Sequence, residues 1–239
     1  MKNVIVLTVV FCLCSLATQA QYFLTPINNI PYGKECKVVT KDGNKMEGKI
    51  TGALYIKGML RSFTVKDTAG EKHKYKADQI SNMEMKIGAL GRTEAAMNTA
   101  NAAKKSKDGA VAEVINREWM TMEQASLPKK KKKYRLLQLL NPGFDSQIKV
   151  YQDPNAKKTM GVGIAGMNVI GREAKSYLVV KNGEKAILVK KKKYKKQFAQ
   201  LFGDSPEVMK LKEEGKLKFK EFANHAYLYD QSQKATASN

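Results

Sequence analysis

From Gly33 to Ile87 apolar and polar positions alternate in short runs, each closed by turn residues. Lys34–Lys41 stops at Asp42-Gly43, and Lys45–Ile56, with Gly48 and Gly52 as bend or bulge positions, stops near Lys57-Gly58. Leu60–Asp67 alternates through Phe63 and Val65 and stops at Thr68-Ala69-Gly70; Lys72–Lys76 meets a corner at Asp78-Gln79-Ile80, and Asn82–Ile87 ends the set. A period of two is the mark of a strand with one face buried, and turn signals at this spacing predict a small five-stranded antiparallel β-barrel. Residues 21–32, with Pro26 and Pro31, read as an extended lead-in.

Beyond Gly88 the alternation stops. Val111, Val114, Ile115, Trp119 and Met122 fall at helical spacing, which predicts a helix over about Ala110–Gln124 with Trp119 as its packing anchor. Arg92–Asp108 fits a weak helix and a disordered linker equally well. Tyr134–Leu140 and Gln147–Gln152 read as strands on either side of Asn141-Pro142-Gly143, and Asp153-Pro154-Asn155 turns the chain again.

The strongest local signal is Lys175–Lys190, two β-branched and aromatic runs joined by Asn182-Gly183, the pair a type I′ hairpin turn requires. A two-residue loop sets Val179 opposite Ala186, Leu178 opposite Ile187 and Tyr177 opposite Leu188. Leu178, Val180 and Ile187 then share one face, and Tyr177, Val179, Ala186 and Leu188 the other. A hairpin apolar on both sides must be covered on both sides. Three helical stripes follow: Tyr194, Phe198, Leu201 and Phe202, ending at Gly203 as C′ residue; Val208, Met209 and Leu211, opened by Ser205 as N-cap and Pro206 at N1 and ending at Gly215; and Phe219, Phe222, Ala223, Ala226 and Tyr227. These are expected to cover the hairpin, and 231–239 to be a disordered tail. The fold class is therefore α+β: the barrel over 33–87, an Ala/Lys-rich linker with a helix over 88–128, and an antiparallel sheet covered by C-terminal helices over 129–230.

Composition changes the compartment. Residues 1–20 have a basic start (Lys2), an apolar run from Val4 to Leu16 and the small-residue end Ala17-Thr18-Gln19-Ala20, the parts of a secretory signal peptide. That run is too short to span a bilayer as a helix. Cleavage after Ala20 removes Cys12 and Cys14, leaving Cys36 alone and no internal disulfide. Cys36 alternates with Val38 and reads as a small buried hydrophobe. The precursor's net charge of +21 becomes +20 with the loss of Lys2, a field that favours anionic partners. The expected location is periplasmic or extracellular, and nucleic acid is a disfavoured partner there.

Two windows repeat one composition: Lys129, Lys130, Lys131, Lys132, Lys133 and Arg135 around Tyr134, and Lys190, Lys191, Lys192, Lys193, Lys195 and Lys196 around Tyr194. Each is a candidate contact for an anionic lipid or polysaccharide surface; solvation and protection of strand edges are the competing roles. Gly161, Gly163 and Gly166 spell G-x-G-x-x-G, but no strand leads directly in and no helix has room to follow, so no dinucleotide site is read there. His73 and His225 lie far apart, no H-E-x-x-H, C-x-x-C or G-x-S-x-G pattern occurs, and Glu213-Glu214 sits on a polar helix face. No catalytic, metal or cofactor residue is assigned.

The strand, D-G turn and glycine-bent strand of Gly33–Ile87 resemble the SH3 or Sm type of barrel. The Sm signals for RNA are missing, since Tyr55-Ile56-Lys57-Gly58 has no Asn and Asp78-Gln79-Ile80 no Arg-Gly. Leu139–Asp145 (LLNPGFD), Lys175–Gly183 (KSYLVVKNG) and Phe202–Met209 (FGDSPEVM) together resemble exported proteins of Bacteroidetes-type bacteria with no established activity. That resemblance implies a signal peptide, a small β-domain and a C-terminal α+β module. The functional expectation is an exported, non-enzymatic protein binding an anionic surface or an envelope partner, with a hydrolase of anionic polymers, or a structural subunit with solubilising lysines, as the rivals.

Overall fold

The computed structural model describes residues 22–28, 30–56, 59–103, 116–127, 134–156 and 174–237. Residues 1–20, expected to be a signal peptide, Lys129–Lys133 and the glycines at 161, 163 and 166 lie outside the described residues. The first five strands stand where the alternation put them: β1 (Glu35–Thr40), β2 (Lys45–Ile56), β3 (Met59–Lys66), β4 (Lys72–Lys76) and β5 (Ile80–Lys86). They do not close by themselves. Two later strands, β6 (Trp119–Ser126) and β7 (Tyr134–Gln138), complete the order β2-β1-β5-β6-β7-β3, and a β2–β3 pairing closes it into a six-stranded antiparallel barrel; β4 is an extra strand on β3.

β6 corrects the Trp119–Gln124 part of the helix expected over Ala110–Gln124; residues 110–115 lie outside the described residues, and Asn116 is helical. Met120 and Met122 of β6 pair directly with Met85 and Met83 of β5, and all four are buried inside the barrel. The exposed edge of β5 needed a partner, and that pairing outweighs a helical spacing carried by few residues. Trp119 accordingly anchors no helix: it lies half-buried at the start of β6, with Lys37 Nζ 5.0 Å and Lys86 Nζ 5.9 Å from its ring centre. Of the undecided segment, Arg92–Ala103 is helical, within α1 (Ala89–Ala103), and 104–108 lie outside the described residues. Gly48 and Gly52 do bend β2. A Cβ on Gly48 would lie 2.4 Å from the Lys66 carbonyl oxygen, and the β2–β3 register shifts between Ile50 and Gly52.

The second sheet, in the order β10-β9-β8, comprises β8 (Ile148–Gln152), β9 (Ser176–Lys181) and β10 (Ile187–Lys190). Between β7 and β8 the Asn141-Pro142-Gly143 turn carries the chain from barrel to sheet. Buried Asn141 pins it, donating from Nδ2 to the carbonyls of Phe144 and Ile148 and accepting from Val150 N–H. Asn182 (φ 50°) and Gly183 (φ 73°) adopt the positive φ expected of them, and Glu184 N–H donates to the Lys181 carbonyl at 2.9 Å. The register beyond the turn is one residue off expectation: Ile187 faces Val179 and Leu188 faces Leu178, so one residue of 184–186 is extra. A one-residue slip exchanges the faces of a whole strand. Ile187 and Val189 therefore join Tyr177 and Val179 under the helices, while Leu188 joins Leu178 and Val180 on the opposite face.

Both faces are covered, by different layers. On one side lie α2 (Tyr194–Phe202), α3 (Pro206–Glu213) and α4 (Phe222–Ala237), whose Tyr194, Phe198, Leu201, Phe202, Val208, Phe222, Ala226 and Tyr229 pack on Ile148, Val150, Val179 and Val189. On the other lies the barrel: Met59, Ala125, Leu137 and Leu139 meet Tyr151 and Leu178. The helices alone would leave this second face wet. The lead-in ties the units together, with Phe23 packed on the helical core, Ile27 in the barrel core, and Ile27 N–H donating to Gln138 Oε1.

Ser205 caps α3 as expected, its Oγ accepting from Val208 N–H at 3.4 Å, with Pro206 following. Gly203 is not a left-handed C′ residue, since its φ is −64°; glycine is required there because a Cβ would lie 2.5 Å from the Ala199 carbonyl oxygen. Nor is 231–237 a disordered tail. α4 continues to Ala237, held by an i,i+4 ion pair between Lys234 and Asp230 (2.6 Å) and by Ser232 Oγ against Ser205 Oγ (2.9 Å). Among the described residues no helix is long and apolar enough to cross a membrane.

Candidate anionic-surface site

The second basic window is built as one exposed corner. Lys190 ends β10, Lys191–Lys193 form a 3-10 turn, and Lys195 and Lys196 lie in the first turn of α2; all six side chains are exposed. Tyr194 between them is 1% exposed, with His225 Nδ1 2.6 Å from its hydroxyl and Phe222 and Phe219 at ring distances of 5.1 and 5.4 Å. Because this ring is sunk into the helical core, the 3.6-residue period turns the flanking lysines outward. Gln197 staples the corner, donating to the Leu188 carbonyl at 3.0 Å and accepting from Lys190 N–H at 3.3 Å, while Lys191 N–H donates to the carbonyl of exposed Lys175.

The electrostatics of this corner are unfavourable to itself. Lys190, Lys192, Lys193, Lys195 and Lys196 have no carboxylate within ion-pair distance among the described residues. They crowd the N-terminus of α2, the positive end of its dipole, where a cation is disfavoured by about 0.3–1 kcal/mol at low salt. An anion at this corner meets lysine charge and helix dipole together.

Arg135, from the first window, stands on β7 of the barrel, half-buried, with Nη1 donating to the Tyr134 carbonyl. It is not part of the corner, and its companions Lys129–Lys133 lie outside the described residues.

Other chemistry-bearing groups are accounted for by packing. Cys36 is 1% exposed inside the barrel, where burial pushes its thiol up to about 12, the opposite of an activated nucleophile. His225 is buried and burial holds it down at about 4, neutral beside Tyr194. Asp67, Glu71 and His73 bring three metal-type donors within 4.8 Å of one another at the β3–β4 turn. Asp67 is already occupied, accepting from Glu71 N–H and facing His73 Nε2 at 2.7 Å, and exposed Lys66 and Lys72 adjoin the group in sequence, which opposes a cation.

The reading of the sequence missed a shallow cleft of about 140 Å³ lined by Tyr22, Phe23, Tyr177, Phe219, Lys220 and Phe222. Its only signal in the sequence is the aromatic pair Tyr22-Phe23 within the extended lead-in. It is smaller than the roughly 300–1,000 Å³ typical of small-molecule sites. No family model matches the chain, and no similarity to a curated protein or to a solved structure is found.

Proposed function

We propose that the chain is an exported, non-enzymatic protein of the envelope or extracellular space that holds an anionic lipid surface through the corner formed by Lys190–Lys193, Lys195 and Lys196. The observation that carries this reading is the crowding of exposed lysines, five of them without a carboxylate partner among the described residues, at the positive end of α2. A fold that retains like charges against a helix dipole gives up stability that a bound anion restores. The signal-like first twenty residues and the +21 net charge support the compartment and the sign of the partner. Lysine in place of arginine suits diffuse attraction to many headgroups rather than bidentate recognition of one.

Sedimentation with vesicles containing a third anionic lipid, across a salt series, tests it. Each lysine at an anionic surface contributes about 1 kcal/mol, so replacing Lys192, Lys193, Lys195 and Lys196 with glutamine is expected to weaken binding by roughly three decades. Binding unchanged by that quadruple substitution would refute the assignment and leave the lysines as solubilising groups.

A further inference from the structure

The barrel carries a second concentration of charge that becomes visible only in the strand register. Lys49 on β2 is directly opposite Lys66 on β3, and Lys66 is directly opposite Lys72 on β4. All three are exposed, and Lys74 and Lys76 continue the outward row along β4, with Tyr75 and Phe63 on the inward side. On the far side of Lys49 the register brings Glu35 of β1, but Glu35 is engaged by Lys86 at 3.2 Å. Lys49, Lys66, Lys72, Lys74 and Lys76 have no ion-pair partner among the described residues.

Like charges directly opposite one another across a sheet are destabilising. Lys66 bears that twice, from β2 and from β4. Protection of a sheet edge accounts for lysines on β4, which is an edge strand, but not for Lys49 and Lys66, whose strands are paired on both sides. We infer that the outer face of β2, β3 and β4 is a second binding face, for a linear acidic polysaccharide laid across the Lys49–Lys66–Lys72 row.

Three features of the face select this partner. Neighbouring strands are about 4.8 Å apart, so the row repeats at close to the rise of one pyranose ring along a linear glycan. None of the outward positions Lys49, Ser62, Thr64, Lys66, Lys72, Lys74 and Lys76 is aromatic, so single-stranded nucleic acid finds no stacking platform along the row itself, while Ser62 and Thr64 offer hydroxyls beside the charges. Exposed Glu35 and Glu47 stand on the same outer face beside Lys49, where a flat anionic bilayer would be pressed against them and a narrow chain along the lysines would not.

The test uses the whole secreted chain and size-defined heparin fragments, with neutral dextran, a single-stranded oligonucleotide and anionic vesicles as comparison probes. The triple variant K49Q/K66Q/K72Q is expected to bind heparin at least tenfold more weakly than the parent, with the slope of log K against log salt smaller by about two to three. Its vesicle binding is expected to be unchanged. The single variant K66Q is expected to melt at a higher temperature than the parent, because the flanking repulsions disappear. Unchanged heparin affinity and slope would overturn the inference, as would a lower melting temperature for K66Q. An oligonucleotide held more tightly than heparin through the same three lysines would overturn the choice of polysaccharide. Loss of vesicle binding in the α2 corner variant alone, with the row variant inert on every probe, would sink this inference and leave the proposed function standing.

Discussion

Phe222→Ala probes the claim that the helical layer and the barrel stand together. The ring is 1% exposed and meets five others, with centroids 5.1 Å from Phe23 and Tyr194, 5.9 Å from Tyr177, 6.1 Å from Phe219 and 6.2 Å from Phe202. Truncating a buried phenylalanine costs about 3–5 kcal/mol. Its neighbours are held from three directions, by the lead-in, by β9 and by α2, so the site has little freedom to collapse and the cost is expected near 4 kcal/mol. That is a large share of a total that is typically about 5–15 kcal/mol. With a urea slope of about 2–3 kcal/mol per molar, the unfolding midpoint should fall by about 1.5 M. Two probes separate the layers: far-UV ellipticity follows the helices, and the fluorescence of Trp119, the only tryptophan, follows the barrel. Tyr151 and Leu178 pack against Leu137 and Leu139 of the barrel, so both signals are expected to move together. A midpoint shift below about 0.4 M would refute the packing estimate. A Trp119 transition left in place while the ellipticity transition moves would refute the coupling.

Further outcomes follow from single groups. His225 titrates near 4 in the folded protein and near 6.5 when unfolded, so its contribution is complete above pH 6.5 and is lost as pH falls towards 4, by up to about 3 kcal/mol. His225→Gln should flatten stability against pH in that window, and an unaltered profile would contradict it. A separate loss is expected below the ordinary aspartate range. There, hydrogen bonds from Lys181 and Tyr229 to Asp204, and from Lys234 and Ser146 to Asp230, outweigh burial and hold both carboxyls low. Glu123→Ala removes the acceptor of Lys149 Nζ (2.8 Å) and of the Tyr151 hydroxyl (2.7 Å), leaving the latter without a partner at the barrel–sheet junction. A cost of about 1–3 kcal/mol by urea unfolding is expected, with Glu123→Gln milder; equal effects of the two would argue against the hydrogen bond. Cys36 should resist a thiol-specific disulfide reagent until the barrel opens, and labelling of the folded chain within minutes would contradict its burial.

What could be read from the chain alone was whatever a short window determines. The alternation of β1–β5, the bends at Gly48 and Gly52, the positive φ of Asn182 and Gly183 and the Ser205 cap are local matters of sterics and hydrogen bonding. Gly203, helical where a left-handed φ was expected, is a local exception; the larger departures turned on long-range choices. β6 alternates for only eight residues, and its identity depends on Met83 and Met85 lying uncovered on β5, more than thirty positions earlier. The extra residue after Gly183 is decided by which of Ile187 and Leu188 suits helices and which suits a barrel wall, and no hairpin rule contains that information. The basic corner at Lys190–Lys196 was legible as a run. The Lys49, Lys66 and Lys72 row was not, because residues 17 and 6 positions apart in sequence become neighbours only through pairing register.

The late arrival of β6 and β7 has a bearing on how the chain is made. At translation rates of about 5–20 residues per second, a nascent chain that has just delivered Lys86 waits roughly two to seven seconds for Trp119. Throughout that interval the methionines of β5 are open to water and its backbone edge to any passing strand. A fragment ending at Gly88 should therefore be held by a holding chaperone far more tightly than the full chain, whose β5 is covered by β6.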